Sequence, residues 1–422
     1  MKIWHLKKGF DRRFRAGHPW VYSNELIDSP KGIKGGESID LRDAAGGFLA
    51  YGYGNPSSLI SFRALTRNVD EKDFDQVSGV ERKLRASLKI REESGFVNTS
   101  HRLCFGEADG FPGLVIDRYR LQDGADFFSI QPHSAGAEVR LSQIEEALVR
   151  IFGEKTGIII RRDISVRKLE GLEVGGATVK RTVHRWNEEL LKNAGVLVRS
   201  VEGGEPRVIF SDLIEGQKTG LFLDQWANVR ELSFALEHLK PSKQPFRVID
   251  LCSYVGQWPV QLIPFLEKRG VHVEWGCIDA SDSALKFAEK NIAKLTIRGA
   301  FLTRKGDVLR DLKDDPAESY DLVIADPPAF IKNKKDAPQG KHAYLQLFTD
   351  SLRLAKKGGW VVACSCSALF TEEEFAETLS KAERRSKSEI RWVSRGALSP
   401  DHPFQSGFIE GRYLKCWIGR KL

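Results

Sequence analysis

From about Arg207 onward the chain alternates short apolar runs with longer helix-patterned stretches. This alternation narrows the fold more than any other feature. Strands separated by helices pair in parallel, and right-handed crossovers lay the helices on both faces of one sheet. Residues 246–251, 272–279, 301–304, 320–325 and 360–364 read as the strands, and 257–269, 282–295 and 344–357 as helices. Ser281 or Asp282 caps the second helix, and Gly358-Gly359 closes the third. Pro259 fits a helix's first turn, whereas Pro264 is expected to bend the first helix. The pattern predicts a doubly wound α/β sheet.

The 206 residues ahead of this alternation read differently. Residues 38–42 alternate, Gly46-Gly47 turns the chain, and 48–53 and 59–65 follow as strands, which predicts a small β module. Next comes an α+β segment, with a helix over 73–93 carrying Leu84 and Leu88 at helical spacing. A Phe111-Pro112-Gly113 turn follows, then strands at 114–117, 127–130 and 157–161 and a helix over 138–152. The expected domains are 1–70, 71–197 and 198–422, which suits a chain of 422 residues.

With 41% apolar and 29% charged residues the composition is that of a folded protein. No run approaches the ~20 apolar residues of a membrane span. Residues 1–14 are basic but lack the apolar core of a secretory signal. None of the six cysteines forms a Cys-x-x-Cys pair and no histidine cluster completes a zinc pattern, so a reducing, cytoplasmic setting and no metal are expected. The net charge is +8, and residues 1–70 hold eleven basic against seven acidic side chains, half of that surplus. A basic module of this kind leans toward a polyanionic partner.

In open α/β sheets ligands bind outside the carboxyl ends of the strands. The sequence puts Asp250, Cys252, Ser253, Tyr254 and Gly256 after the first strand, Asp279 after the second and Asp307 after the third. Asp326-Pro327-Pro328 follows the fourth and Cys364-Ser365-Cys366-Ser367 the fifth. A single glycine in the first loop argues against a dinucleotide, whose pyrophosphate needs several glycines for close backbone approach. Acids along the loops suit a cofactor without phosphates, and S-adenosylmethionine is one. Asp279, 23 residues beyond Gly256, can accept both ribose hydroxyls, and Asp307 the adenine amino group. The two prolines after Asp326 make a rigid turn that holds a carboxylate toward a planar ring, with Phe330 able to stack.

Cys366 bears on the reaction type. Carbon 5 of a pyrimidine attacks a methyl group only after a thiolate has added to carbon 6. Methylation of an amino group needs no cysteine. Cys364 is the weaker candidate for the thiolate.

At these residues the chain resembles the bacterial 23S ribosomal RNA cytosine-5 methyltransferases that carry an N-terminal PUA domain. The resemblance runs nearly the whole length. It is carried by Gly17-His18-Pro19-Trp20-Val21-Tyr22, by 106–114 (GEADGFPGL) and by 218–225 (KTGLFLDQ). Asp326-Pro327-Pro328-x-Phe330, Ser365-Cys366-Ser367, Asp401-His402-Pro403 and Gly411-x-Tyr413-Leu414-Lys415 carry the rest. It implies an N-terminal β-barrel PUA domain that binds RNA, a middle α+β domain and a C-terminal Rossmann-like class I methyltransferase domain with a mixed sheet. It also implies Cys366 as nucleophile and Asp326 at the edge of the cytosine or the cofactor. Phe222, Asp224, Gln225, Asp250, Ser253, Tyr254, Gly256, Asp279, Asp307, Asp326 and Pro327 would bind S-adenosylmethionine, and Pro328, Phe330 and His402 the substrate. The chain would act as a monomer or homodimer. It departs from the family at Trp226 (usually Arg), at Val255 and Gln257 (usually Thr and Gly) and at Ala329 (commonly Lys). Methylation of a base nitrogen, with Cys366 structural, and an RNA-binding assembly factor without catalysis are the alternative readings.

Overall fold

A computed structural model describes residues 1–183 and 186–422. The chain forms two compact units. The first comprises Met1–Leu197, Asp212–Leu223 and Pro400–Gly411, and the second Val198–Ser211, Asp224–Ser399 and Arg412–Leu422. Among the described residues no helix is long and apolar enough to cross a membrane.

The first unit holds two five-stranded sheets. Lys2–His5, Trp20–Tyr22, Glu37–Arg42, Phe48–Gly54 and Ile60–Thr66 make the amino-terminal one, closed over Trp4, Phe14, Ile39, Leu41 and Phe62. Its first two strands, of four and three residues, are too short to show a period and escape the sequence reading. The Gly46-Gly47 turn is as expected: Asp43 accepts from the N–H groups of Ala45 and Gly47 at 2.9 and 2.8 Å, with Gly46 at φ +87°. The second sheet carries helices Val77–Glu93 and Leu141–Phe152 on its apolar face, through Val80, Leu84, Ile144 and Leu148. The helix expected over 138–152 is broken: Ala135–Glu138 is a separate turn, and Arg140 stands between at φ −104°. The buried Arg140 guanidinium donates to the carbonyls of Gly36 and Gly136, each at 3.0 Å, and to Ser38 Oγ at 2.8 Å. Those bonds fix the break.

The second unit is the expected α/β sheet. In chain order within it, β1 is Phe246–Leu251, α1 Gln257–Lys268, β2 Val273–Asp279, α2 Asp282–Ile292 and β3 Ala300–Lys305. Then come β4 Tyr320–Ala325, α3 Ala337–Leu354, β5 Ala355–Ser365, α4 Glu372–Ser386, β6 Ile390–Gly396 and β7 Lys415–Lys421. The sheet order is β3-β2-β1-β4-β5-β7-β6. The first five strands are parallel, and β7 runs antiparallel to both of its neighbours. The strand order therefore reverses between β1 and β4, where such sheets place their ligands.

Pro264 lies inside α1, which continues past it to Lys268. Leu262, Ile263, Phe265 and Leu266 are all buried around it, and that packing outweighs a helix-interior proline's cost of about 3 kcal/mol. The helix expected over 344–357 is Ala337–Leu354, begun early by Pro338 in its first turn. It stops because Ala355 pairs with Tyr320 as β5 begins. Gly358, at φ +73°, serves the irregular start of that strand rather than a helix cap.

Phe348 packs between Tyr344 and Phe375, with ring centroids 5.7 and 5.5 Å away, and is 1% exposed. Phe348→Ala is expected to cost about 3–5 kcal/mol. Leu302→Ala, on the exposed β3, should stay within about 0.5 kcal/mol. Denaturant midpoints of the two variants against the parent measure both.

Candidate active site

The loop after β1 is held in an uncommon conformation. Cys252, Tyr254 and Gly256 all have positive φ, at +65°, +49° and +78°. For the two non-glycine residues this costs roughly 1–2 kcal/mol each. Hydrogen bonds hold it: Ser253 N–H donates to Ile278 O at 3.0 Å, and Tyr254 N–H to Asp279 Oδ2 at 2.8 Å. Asp279 Oδ1 accepts from Ser281 N–H at 2.8 Å. Gly256 closes the loop at the start of α1, where an added Cβ would press on Ala288 at 3.3 Å. Backbone held this way clusters at binding and catalytic sites.

Asp326 lies directly across the reversal. Its N–H donates to Leu251 O at 3.3 Å. Its carboxylate accepts from Gln225 Nε2 at 2.8 Å and from Trp258 Nε1 at 3.1 Å. Asn228 Nδ2 donates to Gln225 Oε1 at 2.6 Å, which orients the Gln225 amide so that its nitrogen faces Asp326. Asp224 accepts from Tyr413 Oη, and its carbonyl from Ser399 N–H at 3.1 Å.

Asp250 is the electrostatic centre of the site. It is 0% exposed, and neither carboxylate oxygen has a hydrogen-bond partner among the described residues. Burial pushes its carboxyl well above the usual range, and the Asp326 and Asp279 charges push it further. Burial, then the surrounding carboxylates led by Asp279, likewise raise the Cys252 thiol. A buried acid without a partner costs folding free energy unless something positive or hydrogen-donating meets it. Asp307 is exposed and accepts from Leu309 N–H at 3.0 Å within its own turn.

The loops after β4 and β5 are stitched together. Cys366 Sγ donates to Pro327 O at 3.9 Å. Ser367 Oγ accepts from Ile331 N–H at 3.1 Å and bonds Tyr344 Oη at 2.9 Å. Phe330 packs on Tyr344 with centroids 4.8 Å apart. Pro327 is buried, Pro328 exposed, and Cys366 partly exposed. Cys364 is fully buried opposite Cys416, and burial, with Cys416 beside it, drives its thiol upward.

The second unit thus gathers Asp224, Gln225, Asp250, Ser253, Tyr254, Gly256, Asp279, Asp307, Asp326, Pro327, Pro328, Phe330 and Cys366 at the carboxyl ends of its strands and the loops beside them. Phe222 and His402 belong to the first unit. There Lys218 Nζ lies 4.4 Å from the Phe222 ring centre. His402, 2% exposed, bonds Asp401 Oδ1 through Nδ1 at 2.9 Å and meets the Phe105 ring edge-on. Among the described residues no group of three or more His, Cys, Asp or Glu is placed to hold a metal ion.

Comparison with known proteins fits this geometry. The PUA-like domain family matches residues 5–67. The ribosomal RNA large subunit methyltransferase I of Erwinia tasmaniensis is 31% identical over 422 residues, covering 98% of each chain. The chain belongs to the ribosomal RNA large subunit methyltransferase I family. The Klebsiella pneumoniae member is 30% identical over 98% of this chain and 97% of its own. A Streptococcus mutans structure described as a SAM-dependent methyltransferase shares the fold, with a TM-score of 0.75 at 17% identity over all of both chains. A methyltransferase solved in complex with SAH gives the same TM-score at 18% identity, again over all of both chains.

In this methyltransferase I chain, sequence reasoning missed the residues that hold the site: Trp258, Asn228 and Tyr344. Trp258 and Tyr344 look like ordinary apolar positions of helices in the sequence, and only the tertiary fold shows their polar ends meeting Asp326 and Ser367. The departures at Val255 and Gln257 fall beside Trp258, so all three sit where the 252–256 loop enters α1.

Because folding raises the Asp250 carboxyl, it stabilises the fold only at acid pH, and that contribution is lost as pH rises above about 4. Asp250→Asn is therefore expected to stabilise the ligand-free protein at pH 7, on the order of 1–3 kcal/mol. The gain should shrink toward pH 4. Thermal melts of both proteins across this pH range check it.

Proposed function

We propose that this chain transfers a methyl group from S-adenosylmethionine to carbon 5 of a cytosine in large-subunit ribosomal RNA, through a covalent adduct on Cys366. The observation that carries the reading is the apposition of Cys366 and the Asp326-Pro327-Pro328 turn, with Sγ 3.9 Å from Pro327 O. A nucleophile and a planar recognition edge then face one base.

The residues present fit the methyl donor. Asp250 offers two buried oxygens with no hydrogen-bond partner among the described residues, in a field of carboxylates that favours a cation. When bound, S-adenosylmethionine supplies a sulfonium methyl and an ammonium group. Asp279 would hold the ribose diol, and Ser253, Tyr254 and Gly256 would shape the loop around the amino acid end. Asp307 would lie at the adenine, and Asp224, Gln225 and Pro327 would complete the pocket. Asp326, fixed by Gln225 and Trp258, would hold the cytosine edge against Pro328 and Phe330.

The Cys366 thiolate would add to carbon 6, leaving carbon 5 electron-rich enough to take the methyl group. Loss of the carbon-5 proton and expulsion of the sulfur would then restore the ring. To reach Cys366 the base must leave its stack. The domains proposed are a PUA-like module at 1–70, a middle domain at 71–197 and a methyltransferase domain at 198–422. The basic module would hold phosphates with salt-dependent affinity. The setting proposed is the cytoplasm.

Purified protein, labelled methyl donor and unmethylated large-subunit RNA should yield 5-methylcytosine. Cys366→Ala should lower the rate by about 10³-fold or more while still binding the methyl donor. A methylated purine, or full transfer by Cys366→Ala, would overturn the reading.

A further inference from the structure

Behind the Cys366 loop lies a lysine that neither the fold nor the proposed chemistry has used. Lys415 opens β7 directly across from Ser365 on β5. It is 4% exposed, and its ammonium donates to Ser367 O at 2.8 Å and to Phe370 O at 2.6 Å. Those carbonyls belong to the turn that leaves Cys366, so one side chain ties down both ends of that turn.

A lysine is a costly way to do this. Among the described residues Lys415 forms no ion pair, unlike Lys421 on the same strand. Lys421 clamps the carbonyls of Leu352 and Ala355 but also meets Glu318 at 3.4 Å. The carboxylates facing Lys415 come from α4 and are engaged elsewhere. Glu372 takes Trp417 Nε1 at 2.7 Å and Arg395 at 2.9 Å, and Glu374 takes Lys341. A buried ammonium satisfied only by two carbonyls stabilises less than a well-packed apolar side chain would.

We propose that Lys415 is a positioning residue that fixes the Cys366 loop and sets a positive charge beside its sulfur, favouring the thiolate. The inference rests on Cys366 being the nucleophile. Burial brings the Lys415 ammonium down to about 8, and the attractions of Glu372, Cys366 and Glu374 act in the opposite direction. Tyr344 on α3 also interacts with Cys366. Burial pushes its phenol up to about 12, and the Cys366 charge adds to that. Tyr344 therefore stays neutral, whereas Lys415 brings a positive charge to the Cys366 loop. Cysteines beside a lysine titrate below the ordinary thiol range of about 8.5.

The test is the pH dependence of iodoacetamide alkylation of Cys366 in the full-length protein, read by peptide mass spectrometry so that the other five cysteines are resolved. The parent midpoint should lie below about 8.5. Lys415→Met should raise it by about one pH unit, slowing alkylation at pH 7 about tenfold, with circular dichroism confirming the fold. A parent midpoint at or above that of a free thiol, or no shift in a folded Lys415→Met, would overturn the proposal. If Lys415→Met does not fold, the parent midpoint alone decides. The titration needs neither RNA nor methyl donor. A low midpoint with a methylated purine as product would therefore sink the cytosine-5 reading and leave Lys415's role standing.

Discussion

The hydrogen-bonded edge shared by β1 and β4 is the constraint on which the site depends. Parallel pairing in register, Val248 with Leu322 through Leu251 with Ala325, brings both strands to their carboxyl ends together. Because the chain leaves β1 toward β2 and reaches β4 on the other side, no crossover covers that edge. The positive-φ loop at 252–256 and the Asp326 turn are its two banks. Asp250, near the end of β1, is buried within reach of the Asp279 and Asp326 charges.

Two charge environments lie along the same edge of one sheet. Asp250, Asp279 and Asp326 make the β1–β4 side hospitable to cations. On the β5–β7 side the charged group is a lysine, and the acids nearest it are occupied by Trp417, Arg395 and Lys341. In the proposed reaction a methyl donor that carries positive charge and a thiol that must lose a proton would call for opposite fields. The carboxylates lie at the ends of the first, second and fourth strands and the ammonium at the start of the last.

The fold was largely legible because its signal is periodic. The α/β alternation, the Ser281 cap and the strand-end acids all follow from local pattern. Where the reading slipped, tertiary contacts had overruled local preference. Arg140 breaks a helix to reach the carbonyls of Gly36 and Gly136, and Ala355 leaves its helix to pair with Tyr320. In the site, Asp326 and Cys366 were legible because their chemistry is unusual for strand ends. Trp258, Asn228, Tyr344 and the clamp made by Lys415 were not, since their partners lie 3 to 68 residues away and no spacing rule reports them.

The central claim is that Cys366 bonds covalently to the target base. RNA carrying 5-fluorocytidine tests it most directly, because fluorine at carbon 5 cannot leave as a proton does and the adduct persists. Incubation with S-adenosylmethionine, followed by nuclease and protease digestion and mass spectrometry, should find a methylated fluorocytidine on the peptide that contains Cys366. Cross-linking to another cysteine, or ordinary transfer to unmodified RNA without any trapped adduct on the fluorinated substrate, would contradict the account.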